Sequence, residues 1–206
     1  HGRHPALENV KIDILMLDTT YLQQKWTFPP QQEAVELMAQ VIRKEKESKP
    51  KALFICSSYH IGKERAYFGA AVSLGWKVFV PENKFKTLRL LNLPEAWTKL
   101  LTTNPDESDF HILSSTGDQL HPQTLADKIE NSRWDSVVVL KPTGWSYRKS
   151  GTLETREDGV VTTIGIPYSE HSSYSELQEC CKTLRPKKIV PTVNADDPVK
   201  ARALVD

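Results

Sequence analysis

Long apolar runs are missing from these 206 residues. The longest apolar stretches are short and broken by polar or turn residues, which excludes a membrane-spanning helix. The amino end also lacks a basic segment followed by an apolar run and a small-residue cleavage site, so no secretory signal is visible. Charge of one sign is absent as well: Lys plus Arg total 27 against 26 Asp plus Glu. Bulk charge therefore gives no case for nucleic acid or for an acidic partner, and any basic surface must be local. Cysteine is scarce, with Cys56 inside "ALFIC" and the adjacent pair Cys180 and Cys181. An odd count without paired spacing points to a reducing compartment and argues against a disulfide scaffold or a thiolate zinc site. The histidines at positions 1, 4, 60, 111 and 121 show no metal-ligand spacing, so this chain alone is not expected to complete a zinc centre. Glycine-rich nucleotide fingerprints are lacking too. "HIGKE" holds a Gly62-Lys63 pair without the spacing of a phosphate loop.

What is present alternates. "VKIDILMLDTTY" reads as a buried strand ending in acid and hydroxyl residues, and Pro29-Pro30 open a helix in which Val35, Met38, Ala39 and Ile42 share a face. "KALFICSSY" is the next strand, "HIGKERAYFGAAVSLG" a helix stopping at Gly75, and "WKVFVP" a third strand. Residues 82–108 read as less regular. Strands at "DFHILSS" and "WDSVVVLKPTG" bracket the helix "HPQTLADKIENS", and Asp158-Gly159 marks a hairpin turn. "SYSELQECCKTLRP" is a helix, "KKIVPTV" a last strand, and "DDPVKARALVD" the start of another helix. This order predicts a layered α/β or αββα fold. The chain opens on His1 and stops abruptly at "KARALVD", and both ends read as cuts through a longer protein, so a site is expected to be only half present.

A few residues carry candidate chemistry. Asp18 follows the apolar run "ILML", a position suited to a metal ligand or general base, although an ordinary turn or helix-capping aspartate accounts for it more simply. Glu33 falls in the first turn of its helix, where the dipole alone favours an acid. His171, in "YSEHSSYSEL", can bind zinc, donate a proton to a leaving oxygen or hold a phosphoryl oxygen, or it can simply pack beside a capped helix. Ser172, Ser173 and Ser175 add hydroxyls near helix N–H groups, an environment suited to an anion. "LKPTGWSYRK" sets Lys141, Arg148 and Lys149 among Trp145 and Tyr147, which suits either phosphate gripping with base stacking or an ordinary surface loop.

Taken together, "LDTTY", "FPPQQE", "SSYHIGKE", "KPTGW", "YSEHSSYSEL" and "LRPKKIVPTVN" resemble the DNA cross-link repair nucleases of the metallo-β-lactamase superfamily that carry a β-CASP region, relatives of Artemis. The likeness runs from about Asp13 to Asp196 with the motifs in order. It implies an α/β chain made of a partial metallo-β-lactamase αββα fold with an α/β β-CASP insertion. The implied parts are a lactamase segment at 1–24, the β-CASP region at 25–160 and a returning lactamase segment at 161–206. By resemblance Asp18 and His171 are metal ligands and catalytic residues, and Glu33 matches the first β-CASP acid. Ser172, Ser173, Thr143 and Gly144 become candidates for a terminal-phosphate pocket, with Lys141 and Lys63 for DNA contacts. The family's His-x-His-x-Asp-His motif is not in this sequence, and "HPAL" resembles the end of the segment that precedes "LDTTY". Val193 stands where RNA-processing relatives carry a histidine, which tilts the substrate toward DNA.

The implied parent is a nuclear DNA repair enzyme using one or two zinc ions. Its expected activity is 5′-to-3′ hydrolysis of phosphodiester bonds from a 5′-phosphorylated, single-stranded or free end in interstrand cross-link repair. The chain as given is expected to be inactive alone. An Artemis-like endonuclease and a noncatalytic DNA-binding homologue are the alternatives, and a lactamase-like hydrolase of small molecules is a weaker third.

Overall fold

A computed structural model describes residues 10–193. The expected helix after Asp196 and the "HPAL" segment lie outside the described residues. The chain divides into two compact units: Pro29–Glu170 forms one, and the described parts of His1–Phe28 and His171–Asp206 form the other. The architecture is mixed α/β throughout.

The larger unit is a seven-stranded sheet in the order β4-β3-β5-β2-β6-β8-β7. Its strands are β2 (Ala52–Ser58), β3 (Val78–Phe79), β4 (Leu101–Thr102), β5 (Phe110–Ser114), β6 (Ser136–Pro142), β7 (Thr155–Asp158) and β8 (Val161–Ile166). All neighbours are parallel except β7 and β8, which form the hairpin expected at Asp158-Gly159, with Gly159 at φ 58°. A central parallel strand is covered on both faces, so it reads as an unbroken apolar run. β2 is buried at every position.

Helices cover both faces. α1 (Gln31–Ser48) starts right after Pro30, whose missing N–H costs nothing at a helix entrance, and buries Ala34, Val35, Met38, Ala39, Val41 and Ile42. α2 (Glu64–Leu74) ends at Gly75 with φ 69°, the left-handed cap that glycine adopts without strain. The two helices approach so closely at Gly69 that a Cβ added there would stand 2.5 Å from Val35 Cγ1. On the other face α5 (Pro122–Ile129) places Leu125 and Ile129 against Leu53, Ile55, Val137 and Val139. Residues 82–108, read from sequence as irregular, contain α3 (Glu82–Leu90), the single turn α4 (Glu95–Thr98) and β4. Pro81 and Pro94 start these two helices, and their brevity hides the period that longer helices display.

The smaller unit pairs β1 (Ile14–Leu17) in parallel with β9 (Lys188–Pro191), beside α6 (Tyr174–Leu184). Leu17, Leu177 and Cys181 form its core, with Leu15 and Ile189 against them. β1 was expected to be buried, yet Ile14 and Met16 are exposed, at 60% and 70%. Among the described residues β1 pairs only with β9, and its second face has no layer upon it. Alternation therefore governs: Leu15 and Leu17 face the core, and Ile14 and Met16 face away.

Candidate functional site

Asp18 is the first residue beyond β1, and His171 precedes the N-cap of α6 by two residues. His171 Nδ1 stands 2.7 Å from Asp18 Oδ2, joining residues 153 apart in the chain. The second carboxylate oxygen accepts from the Thr20 N–H at 2.9 Å and the Thr20 hydroxyl at 2.6 Å. Partial burial pushes the Asp18 carboxyl up, but the bonds from Thr20 and His171 outweigh it and hold the group below its ordinary range. Thr19 anchors the turn by donating its hydroxyl to the Val193 carbonyl. Behind the imidazole lies buried Tyr21, its ring edge-on to His171 with centroids 6.2 Å apart, and packed in turn on Phe28. The contact holds the Nδ1 side of the imidazole against the carboxylate.

The serines beside His171 divide their labour. Ser173 is buried and caps α6: its hydroxyl accepts from the Glu176 N–H at 3.4 Å, and Glu176 Oε2 accepts from the Ser173 N–H at 2.7 Å. That capping box fixes the turn that carries His171. Ser172 is exposed on the same turn.

The other candidates belong to the larger unit, where β2, β6 and β8 end side by side. Lys141 is exposed near the end of β6. Thr143 follows, with its N–H donating to the Ile166 carbonyl at 2.9 Å and its hydroxyl capping the short turn that begins at buried Gly144. Lys63 lies in the loop after β2 in a left-handed conformation, φ 67°, and its N–H donates to Glu170 Oε1 at 2.7 Å. Burial pulls the Lys63 ammonium below its ordinary range, against the opposing pull of Cys56 and Glu170. The first turn of α1 reaches this edge through Gln31, whose side chain donates to the Ser169 carbonyl at 2.7 Å. Glu33, in that turn, is exposed and has no hydrogen-bond or ion-pair partner among the described residues.

Three residues that sequence reasoning passed over organise this edge. Lys84 of α3 is only 7% exposed, and its ammonium donates to Ser58 Oγ at 3.1 Å, the Tyr59 carbonyl at 2.9 Å and the His60 carbonyl at 3.3 Å. Glu64 stands 3.8 Å from that ammonium and accepts the Gly62 N–H at 2.8 Å. Glu170 takes the neighbouring Lys63 N–H, and a Cβ at Gly62 would come within 3.0 Å of its carboxylate. A signal existed for the acids, since "GKE" and "SEH" place both next to residues already singled out. Lys84 carried none, lying in a segment that read as irregular.

A cavity of about 440 Å³ opens elsewhere, among Lys46, Lys51, Asp109, Arg133 and Trp134, before the first residues of β2, β5 and β6. Lys46 and Arg133 both pair with Asp109 there. None of the candidate residues lines it.

The family described as DNA repair metallo-beta-lactamase matches residues 95–197, half of the chain. The chain belongs to that family. It is 38% identical over 210 residues to the DNA cross-link repair 1A protein of Gallus gallus, a match covering 99% of this chain and 21% of the relative. It is 32% identical to the DNA cross-link repair protein SNM1 of Arabidopsis thaliana, covering 93% of this chain and 40% of that protein. Identity to the 5′ exonuclease Apollo of Gallus gallus is also 32%, over 94% of this chain and 38% of the relative. This family member thus spans between about a fifth and two-fifths of the length of these relatives.

Members of the superfamily typically use zinc, and the donor types here suit it: a carboxylate oxygen and an imidazole nitrogen lie within one hydrogen bond of each other. The number does not suffice. Among the described residues no group of three or more His, Cys, Asp or Glu side chains is gathered, whereas a zinc site takes at least three protein ligands.

Proposed function

We propose that this chain is part of a DNA repair nuclease, one that removes nucleotides 5′-to-3′ from a 5′-phosphorylated single strand or free end during interstrand cross-link repair. The observation that carries the reading is the Asp18–His171 contact, which joins the two motif residues at the end of β1. Family membership and the similarity to a 5′ exonuclease support the choice of reaction. A nuclear location and DNA as partner follow from the repair role.

In this reading residues 1–24 and the chain from about His171 onward belong to the αββα lactamase fold and the residues between to the β-CASP insertion; the boundary expected at 160 moves toward Glu170 because β8 pairs with β6 inside the larger sheet. The parallel pairing of β1 with β9 supports it, because the two strands are far apart in sequence and adjacent in space. One or two zinc ions would polarise the scissile phosphate and lower the pKa of a bound water. Asp18 and His171 would be two of the ligands, and the remainder must come from outside the described residues.

The chain's own contribution is positioning. Thr20 fixes the Asp18 carboxylate, and Asp18 in turn fixes the imidazole, so that His171 presents a defined nitrogen to metal or to the leaving oxygen. Ser172, Thr143 and the Gly144 turn offer hydroxyl and N–H groups to phosphate oxygens. Lys63 and Lys141 neutralise phosphates along the strand. Ser173 acts one step back, holding the turn through its cap. Glu33 is the acid of the first β-CASP motif, and its exposure leaves it accessible to substrate.

The shortage of ligands among the described residues favours a second reading for the chain by itself, a noncatalytic DNA-binding homologue. One experiment separates them. The longest natural polypeptide carrying this sequence is incubated with zinc and end-labelled single strands bearing a 5′-phosphate or a 5′-hydroxyl. Stepwise shortening that requires the 5′-phosphate is the expected result. Binding without cleavage supports the noncatalytic reading, and internal cuts replace the exonuclease with an Artemis-like endonuclease.

A further inference from the structure

The loop after β2 exposes two large apolar side chains, Tyr59 and Ile61, both at 56%. Scattered exposed apolar residues are ordinary on protein surfaces. What sets this loop apart is how firmly its backbone is held. The carbonyls of Tyr59 and His60 are turned inward onto the buried Lys84 ammonium. Ser58 Oγ, itself accepting from Lys84, donates to the Gly62 carbonyl at 2.9 Å. Gly62 and Lys63 give their N–H groups to Glu64 and Glu170. With the carbonyls fixed inward, the Tyr59 ring stands outward, and the Lys63 ammonium lies 4.7 Å from the ring centroid.

Position adds to geometry. β2 is the central strand, flanked by β5 on one side and β6 on the other, so its carboxyl end is a point where the crossovers leave in opposite directions. Ligands of doubly wound sheets gather at such points. An aromatic ring with a cation over one face, on a loop already ordered, suits a single strand: an unpaired base stacks on the opposite face of the ring while the ammonium meets the adjoining phosphate. A duplex keeps its bases stacked on each other and offers no free face. Ordering the loop beforehand lowers the entropic cost of binding.

We infer that Tyr59 is a base-stacking residue for single-stranded nucleic acid, set outward by the buried Lys84 and paired with Lys63 as phosphate contact. This inference rests on the reading that the chain binds DNA, and it adds the residue that distinguishes single strand from duplex.

The test compares binding of this chain to a short 5′-phosphorylated oligonucleotide and to a strand of equal length built of abasic units, by fluorescence anisotropy at fixed salt. The two probes carry the same phosphates, so only stacking separates them. The wild-type chain is expected to prefer the base-bearing strand by about fivefold or more. Tyr59→Ala and Tyr59→Leu should abolish that preference, and Tyr59→Phe should keep it. Full preference retained in Tyr59→Ala overturns the inference. So does a Tyr59→Leu variant equal to wild type, which would mark Tyr59 and Ile61 as an apolar protein-contact patch. If Lys63→Ala weakens both probes while Tyr59→Ala changes neither, DNA binding stands and the stacking role falls. If the wild-type chain binds neither probe, the DNA reading itself fails and the inference with it.

Discussion

The two units handle their polar groups in opposite ways. In the larger one, polar groups are sunk into the structure: Lys84 is buried among carbonyls and a carboxylate, and His111 is wholly buried against Phe79 and Trp134. In the smaller one the proposed catalytic pair is open, with the side chains of His171 and Asp18 exposed at 53% and 46%. Buried charges are costly to break because the partner left behind is unpaired, whereas exposed pairs contribute little to stability. Stability and chemistry should therefore respond to different residues. The larger unit ought to carry the fold's sensitivity and the smaller one the reaction's.

The sharpest stability effect is expected from Lys84→Met. It strands the Glu64 carboxylate and the carbonyls of Tyr59 and His60, and it should cost about 3–5 kcal/mol, read as a shift of the urea midpoint. An effect under about 1 kcal/mol would place Lys84 with the ordinary surface lysines and erase the contrast between the units.

Acid comes next. Burial holds His111 neutral and lowers its pKa to about 4, the hydrogen bonds to Pro105 and Ser108 notwithstanding. The unfolded chain takes up a proton near pH 6.5 and the folded one does not, so stability is lost as pH falls from about 6.5 toward 4. The loss should approach about 3 kcal/mol at pH 4 and be absent above pH 7. Replacing the ring by His111→Phe should flatten the profile between those limits in pH-dependent unfolding.

Gly69→Ala sets a helix-propensity gain of about 1 kcal/mol against a clash with Val35. Because both helices are packed on the sheet, the clash should win, with a net loss of about 1–2 kcal/mol by thermal unfolding. Ser173→Ala, which removes the cap of α6 in the smaller unit, should cost only about 1 kcal/mol. A larger loss there than at Lys84 would invert the comparison.

Much of the larger unit was legible in sequence because its signals are local. Pro29-Pro30 announce α1, Gly75 ends α2, and Asp158-Gly159 turns the hairpin, each through backbone preferences that act within a few residues. The pairing of Asp18 with His171 is not local, and residues alone left both as candidates with ordinary alternatives; the resemblance linked them. The exposure of Ile14 and Met16 was hidden because an apolar strand reads the same whether one face or two are covered. Lys84 was hidden for another reason. A lysine is expected at the surface, and only the carbonyls of a distant loop make its burial affordable.

The most direct test of the account is His171→Ala, made in the longest natural polypeptide that carries this sequence and assayed with zinc on 5′-phosphorylated single-stranded DNA. Cleavage should fall by about a hundredfold or more. Affinity for the strand and the unfolding midpoint should stay near wild type, because binding draws on many phosphates and the histidine is exposed. Cleavage close to wild type would remove His171 from the site and contradict the central claim.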